Sequence, residues 1–215
     1  MKRAIDKSTL TELREAHRTK AAEIANRLRE FSDVPPEEYF YEVVYCLLTP
    51  QSSAVNAGRA VEVLRAHDLR NAPIDPAPLL HQKEFYIRFH RTKAKHLLAV
   101  RDQYAELHPH LLNGSMGSTS MELRLWLVKN VRGLGWKEAS HFLRNIGHRN
   151  LAILDRHILR NLVRFGVLRG LPKTLTAKRY LAIEEKFRQF AVKIAIPMDE
   201  LDLLFWWMGT GQILK

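Results

Sequence analysis

A lysine amine attacks an electrophilic carbon once it has lost its proton, and a nearby carboxylate stabilises positive charge developing there. Two such residues stand in a defined spacing, Lys137 two positions after Gly135 and Asp155 eighteen positions further on. Lys137 falls in the first turn of a helix expected over 136–146, where the positive end of the helix dipole and neighbouring basic residues disfavour an ammonium. Asp155 closes the apolar strip Leu151-Ala152-Ile153-Leu154 and precedes the helical pattern Arg156, Ile158, Leu159, Leu162, which predicts an N-cap aspartate. Taken singly, a first-turn lysine and an N-cap aspartate are ordinary surface features, so their weight depends on what positions them.

The positioning element is a pair of helices joined by the five-residue turn Val131-Arg132-Gly133-Leu134-Gly135. A glycine-containing turn between two helices brings backbone N–H groups and a helix N-terminus to one place, where they can face a phosphate. Arg132, Gly133 and Gly135 are therefore the expected contacts to a nucleic-acid backbone. Charge points the same way. Net charge is +11, and the segment 129–179 holds twelve Lys/Arg against Glu138 and Asp155, so it carries nearly all of that excess. A basic block containing the hairpin fits a polyanion, with duplex DNA ahead of RNA or a membrane surface.

The segments GLGWKEASHFLRNIG and LAILDRHILR, with CLLTPQSSA nearer the N-terminus and LDLLFWWMGTGQILK at the end, resemble the helix-hairpin-helix DNA glycosylases. Within them, the chain is most similar to the second family of 8-oxoguanine DNA glycosylase/AP lyases, of archaeal and bacterial type. The resemblance implies a bifunctional base-excision-repair enzyme. Lys137 would be the nucleophile at the sugar C1′ and Asp155 its assistant, and His157 would join Arg132, Gly133 and Gly135 on the DNA backbone. It further implies base recognition by Lys215 with its terminal carboxylate, by Trp206 and by Asp202. Phe89 would take a pocket role, and Gln51 would fill the space left by the extruded base. Residue by residue, plainer readings stand beside these: a capped loop with Ser52 or Ser53 at an N-cap, core aromatics, and a tryptophan pair anchoring the last helix. Excision of another damaged base, or a non-catalytic DNA-binding module, are the alternative functions.

No alternation of strand type appears along the chain, so the expected fold class is all-α, two helical subdomains flanking a DNA-binding groove. The expected partition joins 1–31 with 120–215, hairpin included, and makes 32–119 the second subdomain. Helices are expected from a capping box at Thr9 to Glu12, over 37–49 and 54–66, and from Leu79 with interruption to Leu107. A loop should follow over 108–119, then a helix opened by the Thr119 to Glu122 capping box, one from Asp155 to about Phe165, and others over 177–194 and 198–208. Cys46, the single cysteine, lies in the apolar run Val43 to Leu48 and reads as core; one thiol cannot ligate an iron–sulfur cluster. The histidines at 81, 90, 96, 108 and 110 form no zinc signature such as H-E-x-x-H, so no catalytic metal is expected, and no cofactor. A monomer without a membrane span, located in the cytoplasm with the nucleoid, completes the expectation.

Overall fold

Apolar residues recurring at helical spacing become ten α-helices and one 3₁₀ turn among the described residues, 7–113 and 119–214, of a computed structural model. No strand occurs among them; the nearest approach to sheet pairing is one isolated bridge between His81 and Tyr86. The fold class is all-α. The chain divides into two units, 1–33 with 147–215, and 34–146.

The first unit contains α1 (Lys7–Ser32), α8 (Arg156–Arg164), α9 (Ala177–Ile194) and α10 (Met198–Thr210). α1 is already helical at Lys7, the first described residue and ahead of the expected cap at Thr9; Leu13, Ile24 and Phe31 bury one face along its length, and propagation costs little once that face is packed. Its partner is α10, to which His17 is joined by a bond of 2.6 Å to Glu200. Behind α10, Phe165, Phe187 and Phe205 stack, with centroids 5.3 and 5.8 Å from Phe205. The strip 151–154 is buried and belongs to no helix or sheet. Its backbone is paired instead by side chains of α9: Ala152 N–H donates to Glu184 Oε1 at 2.7 Å, and the Tyr180 hydroxyl donates to Ala152 O at 2.6 Å. That substitution satisfies buried backbone groups without a neighbouring strand.

The second unit contains the 3₁₀ turn Pro36–Glu38, α2 (Tyr39–Leu48), α3 (Ala54–Ala66), α4 (Pro76–Leu79), α5 (His90–Asn113), α6 (Ser120–Asn130) and α7 (Trp136–Asn145). α2 is buried from Phe40 to Leu48, Cys46 included, and packs against α3, α5 and α7. Two expectations change here. Residues 80–89 are not helical, and α5 runs on through Pro109 to Asn113 where a loop was expected. Proline removes one ladder bond, but Leu107 and Leu111 are buried on either side of it, and their burial holds the last turns. The hairpin also changes side. It belongs with 34–113 rather than with the terminal segments, because α7 packs on α2: Glu42, buried, accepts from Asn145 Nδ2 at 3.0 Å. None of the described helices is long and apolar enough to cross a membrane.

Candidate active site and nucleic-acid interface

In the second unit the hairpin is built from both ends. Thr119 opens α6 with a complete capping box, its hydroxyl accepting from Glu122 N–H while Glu122 Oε2 accepts from Thr119 N–H at 2.8 Å. Val131 and Leu134 are buried, and Leu134 N–H donates to Val131 O at 3.2 Å, so the turn is pinned from inside while Arg132 stays exposed. Gly133 has φ +97°, a backbone state that side chains avoid, and a Cβ there would sit 2.6 Å from His96 Nδ1 and 2.8 Å from Leu47 Cδ2. Burial and the charge of Arg132 lower the pKa of that imidazole. Gly133→Ala is expected to lower stability by about 2 kcal/mol or more, read by urea unfolding, and to weaken duplex binding with it.

α7 then starts at Trp136 with Gly135 as an N-cap that offers no side-chain acceptor, a helix start suited to an outside anion. The junction of α6 and α7 is fastened by Arg124, fully buried, whose Nη1 donates to Ser140 Oγ at 3.0 Å and whose guanidinium lies 5.0 Å from the Trp136 ring. Lys137 follows Trp136 directly. Its side chain is 25% exposed and pairs with Glu138 at 3.3 Å, so the amine is reachable from solvent yet held near the hairpin.

Also in this unit are Gln51 and Phe89. Ser53 caps α3, accepting from Asn56 N–H at 3.0 Å, as the plainer reading of that loop expects. Two residues earlier, Gln51 is exposed with φ +56°. Phe89 is 51% exposed, has φ +59°, and carries the Arg88 guanidinium 4.9 Å from its ring. Phe85, at 7% exposure, belongs to the core, as the plainer reading of these aromatics expects.

The first unit holds Asp155 as the N-cap of α8. Its Oδ1 accepts from His157 N–H at 2.7 Å and Ile158 N–H at 2.8 Å, so the cap uses one carboxylate oxygen. The strip before it is the one fastened by Tyr180 and Glu184, which gives the carboxylate a rigid base. His157 turns its ring onto Trp206, centroids 5.0 Å apart and edge to face. Gly209 makes that possible: a Cβ there would run into His157 Nδ1. Gly209→Ala should therefore push the imidazole off α10 at a cost of about 1–3 kcal/mol, seen as a lowered Tm and a shifted His157 ring resonance.

Trp206 is half-buried, and its indole Nε1 is buried with no hydrogen-bond partner among the described residues. Asp202, one turn earlier on α10, is 5% exposed. Trp207 lies under Lys20 of α1, its ring centroid 5.2 Å from Nζ, which fits an anchoring role for the second tryptophan. After α10 the tail turns back on α1: Ile213 is buried and its carbonyl accepts from Arg27 Nη2 at 3.4 Å. Lys215 lies outside the described residues.

Thus Arg132, Gly133, Gly135 and Lys137 are gathered on one hairpin, and His157 and Trp206 meet beside Asp155 and Asp202 on α8 and α10. Sequence reasoning missed Arg124, His96 and Lys93. Arg124 and His96 sit at helical positions among apolar neighbours with no local pattern to mark them. Lys93 stands among several other bases, Arg88, Arg91 and Lys95, with nothing local to set it apart, and it is buried.

The Ogg-HhH family, described as 8-oxoguanine DNA glycosylase, matches residues 24–196. A protein of Fusobacterium nucleatum named 8-oxoguanine DNA glycosylase/AP lyase is 40% identical over 213 residues, 95% of this chain and 96% of its own. One of the same name from Korarchaeum cryptofilum is 41% identical over 195 residues, 89% and 90% of the two chains. Among solved structures, the Methanocaldococcus jannaschii 8-oxoguanine glycosylase/lyase, in complex with a 15mer DNA containing 8-oxoguanine, superposes with a TM-score of 0.85. That match has 30% identity and covers 97% of this chain and 100% of that one. A hairpin presenting a lysine, a capping aspartate eighteen residues on, and similarity that runs almost end to end place this chain in the Ogg-HhH family of 8-oxoguanine DNA glycosylases.

Proposed function

We propose that the protein is a bifunctional DNA glycosylase/AP lyase that removes 8-oxoguanine from duplex DNA and then cleaves the strand. The observation that carries this reading is a solvent-reachable lysine in the first turn after an exposed glycine hairpin, in a chain 40% identical over 95% of its length to a relative named for those two activities. To expose the sugar C1′, the damaged nucleotide leaves the stack at a cost of roughly a few kcal/mol. Phosphate contacts at Arg132, the amides around Gly133 and Gly135, and His157 offset that cost. Trp206, Asp202, Phe89 and Lys215 receive the base, and Gln51 occupies the gap it leaves.

Lys137, as the free amine, forms a bond to C1′ while the glycosidic bond breaks and its electron pair departs with the base. Asp155 stabilises the positive charge developing on the sugar, or moves a proton. Ring opening gives a Schiff base, whose electron-withdrawing nitrogen acidifies the C2′ proton. Loss of that proton expels the 3′ phosphate by β-elimination. A lysine nucleophile therefore links both activities, whereas water would give base release alone. The working form is a monomer acting as one glycosylase unit in the cytoplasm, at the nucleoid.

Borohydride trapping on duplexes containing one 8-oxoguanine, one abasic site or no lesion tests the reading. A covalent adduct on the first duplex supports it. An adduct at the abasic site alone keeps the lyase and redirects the search to another damaged base, and none on either favours a DNA-binding module.

A further inference from the structure

Lys93, in the first turn of α5, is 5% exposed, and its three N–H bonds meet three acceptors: Leu48 O at 2.6 Å, Pro50 O at 2.7 Å and Ser52 Oγ at 3.2 Å. Leu48 ends α2, so the first of these bonds satisfies a carbonyl the helix itself leaves open. Ser52 Oγ also accepts from Arg88 N–H at 3.1 Å, and Lys93 N–H donates to Phe89 O at 3.0 Å. One ammonium therefore ties two turns that are distant in sequence. Each turn carries a non-glycine residue in the left-handed region, Gln51 at φ +56° and Phe89 at φ +59°, and each of these side chains is exposed.

A phenylalanine held at positive φ with half its surface in water gains nothing for the core, and strain of this kind persists only where surrounding structure imposes it. An exposed ring with a guanidinium beside it is suited to stacking on a nucleobase. Burial, and then the charge of Lys137, push Lys93 down to about 8, with Glu138 acting the other way, so at neutral pH it is mostly still an ammonium. A charge kept buried at that cost calls for a use.

We propose that Lys93 is the positioning residue of the DNA-probing surface: its ammonium fixes the turn that presents Gln51 and, through Ser52, the turn that presents Phe89. The inference rests on the glycosylase reading only for what those tips do, since the tie between the turns is independent of it. Lys93→Met keeps length and apolar stem but removes all three donors. With the tips loose, extrusion of a stacked base suffers, whereas an abasic site has no base to extrude.

Single-turnover base release from an 8-oxoguanine duplex is therefore expected to fall about 10-fold or more in Lys93→Met, with strand cleavage at a preformed abasic site held within about 3-fold. Amide hydrogen exchange should speed up at 49–53 and 86–90 and stay unchanged in α7 and α9. Ser52→Ala, which cuts the link to Arg88 and leaves the two carbonyl bonds, should give the same split to a smaller degree, and it decides the matter where Lys93→Met does not fold. Loss of both activities together, or neither activity changed, overturns the inference. So does unchanged exchange at the two turns, whatever lesion the wild-type protein acts on. Failure of the wild-type protein to act on 8-oxoguanine, with exchange altered as expected, sinks the functional reading and leaves the tie in place.

Discussion

Lys137→Gln leaves no borohydride-trapped adduct on an 8-oxoguanine duplex and lowers both base release and strand cleavage by at least about 10³-fold. Glutamine keeps the length and a polar end, but its amide nitrogen has no free electron pair for C1′. The fold should hardly notice. Lys137 makes one ion pair, to Glu138 at 3.3 Å, with both side chains partly in water, and such a pair contributes only about 0.2–1 kcal/mol. A Tm within a few degrees of wild type, and unaltered binding to a duplex carrying an uncleavable abasic analogue, would accompany the loss. Retained strand cleavage at abasic sites would remove Lys137 from the mechanism and require another amine.

Asp155 has one structural job and one proposed catalytic job, and two substitutions separate them. As N-cap it accepts from His157 and Ile158 N–H through Oδ1, a function that asparagine's carbonyl oxygen reproduces. As a carboxylate it has the proposed role of facing developing positive charge, which asparagine cannot match. Asp155→Asn is accordingly expected to lower base release by about 10² to 10⁴-fold with stability nearly unchanged, whereas Asp155→Ala loses the cap as well and about 1–2 kcal/mol with it. Single-turnover rates and urea unfolding on both variants check this. Equal rates for Asp155→Asn and wild type would leave the residue a cap and nothing more.

Both expectations depend on rigid support, and the two units provide it in different ways. Arg124 fastens α6 to α7 from inside and leaves Lys137 on a fixed helix start. Tyr180 and Glu184 grip the backbone of 151–154, so Asp155 emerges from a buried, hydrogen-bonded strip rather than from a loose loop. A reacting group misplaced by about 1 Å loses on the order of 10²-fold in rate, which is why such supports lie under candidate catalytic residues.

Features that depend on a few neighbouring residues were legible in the sequence. The Thr119 capping box, the Asp155 cap, α3 at 54–66 and α9 at 177–194 all appear where local spacing puts them, because each cap bond spans two or three residues and each helix face repeats within one turn. The lysine after the hairpin and the basic block around it are equally local. Tertiary structure alone decided the rest. Pro109 sits inside a helix because Leu107 and Leu111 find a core to enter, and 151–154 stays out of a sheet because Tyr180 and Glu184, some thirty residues on, take its backbone bonds. Thr9 does not begin α1, and 120–146 goes with 34–113 rather than with the chain ends because α7 packs on α2, since burial against a partner distant in sequence outweighs local signals. Lys93 is the clearest case. Its sequence neighbours make it one base among several, while its partners lie 41 to 45 residues away, and only the closing of that distance turns a surface-type residue into a buried tie.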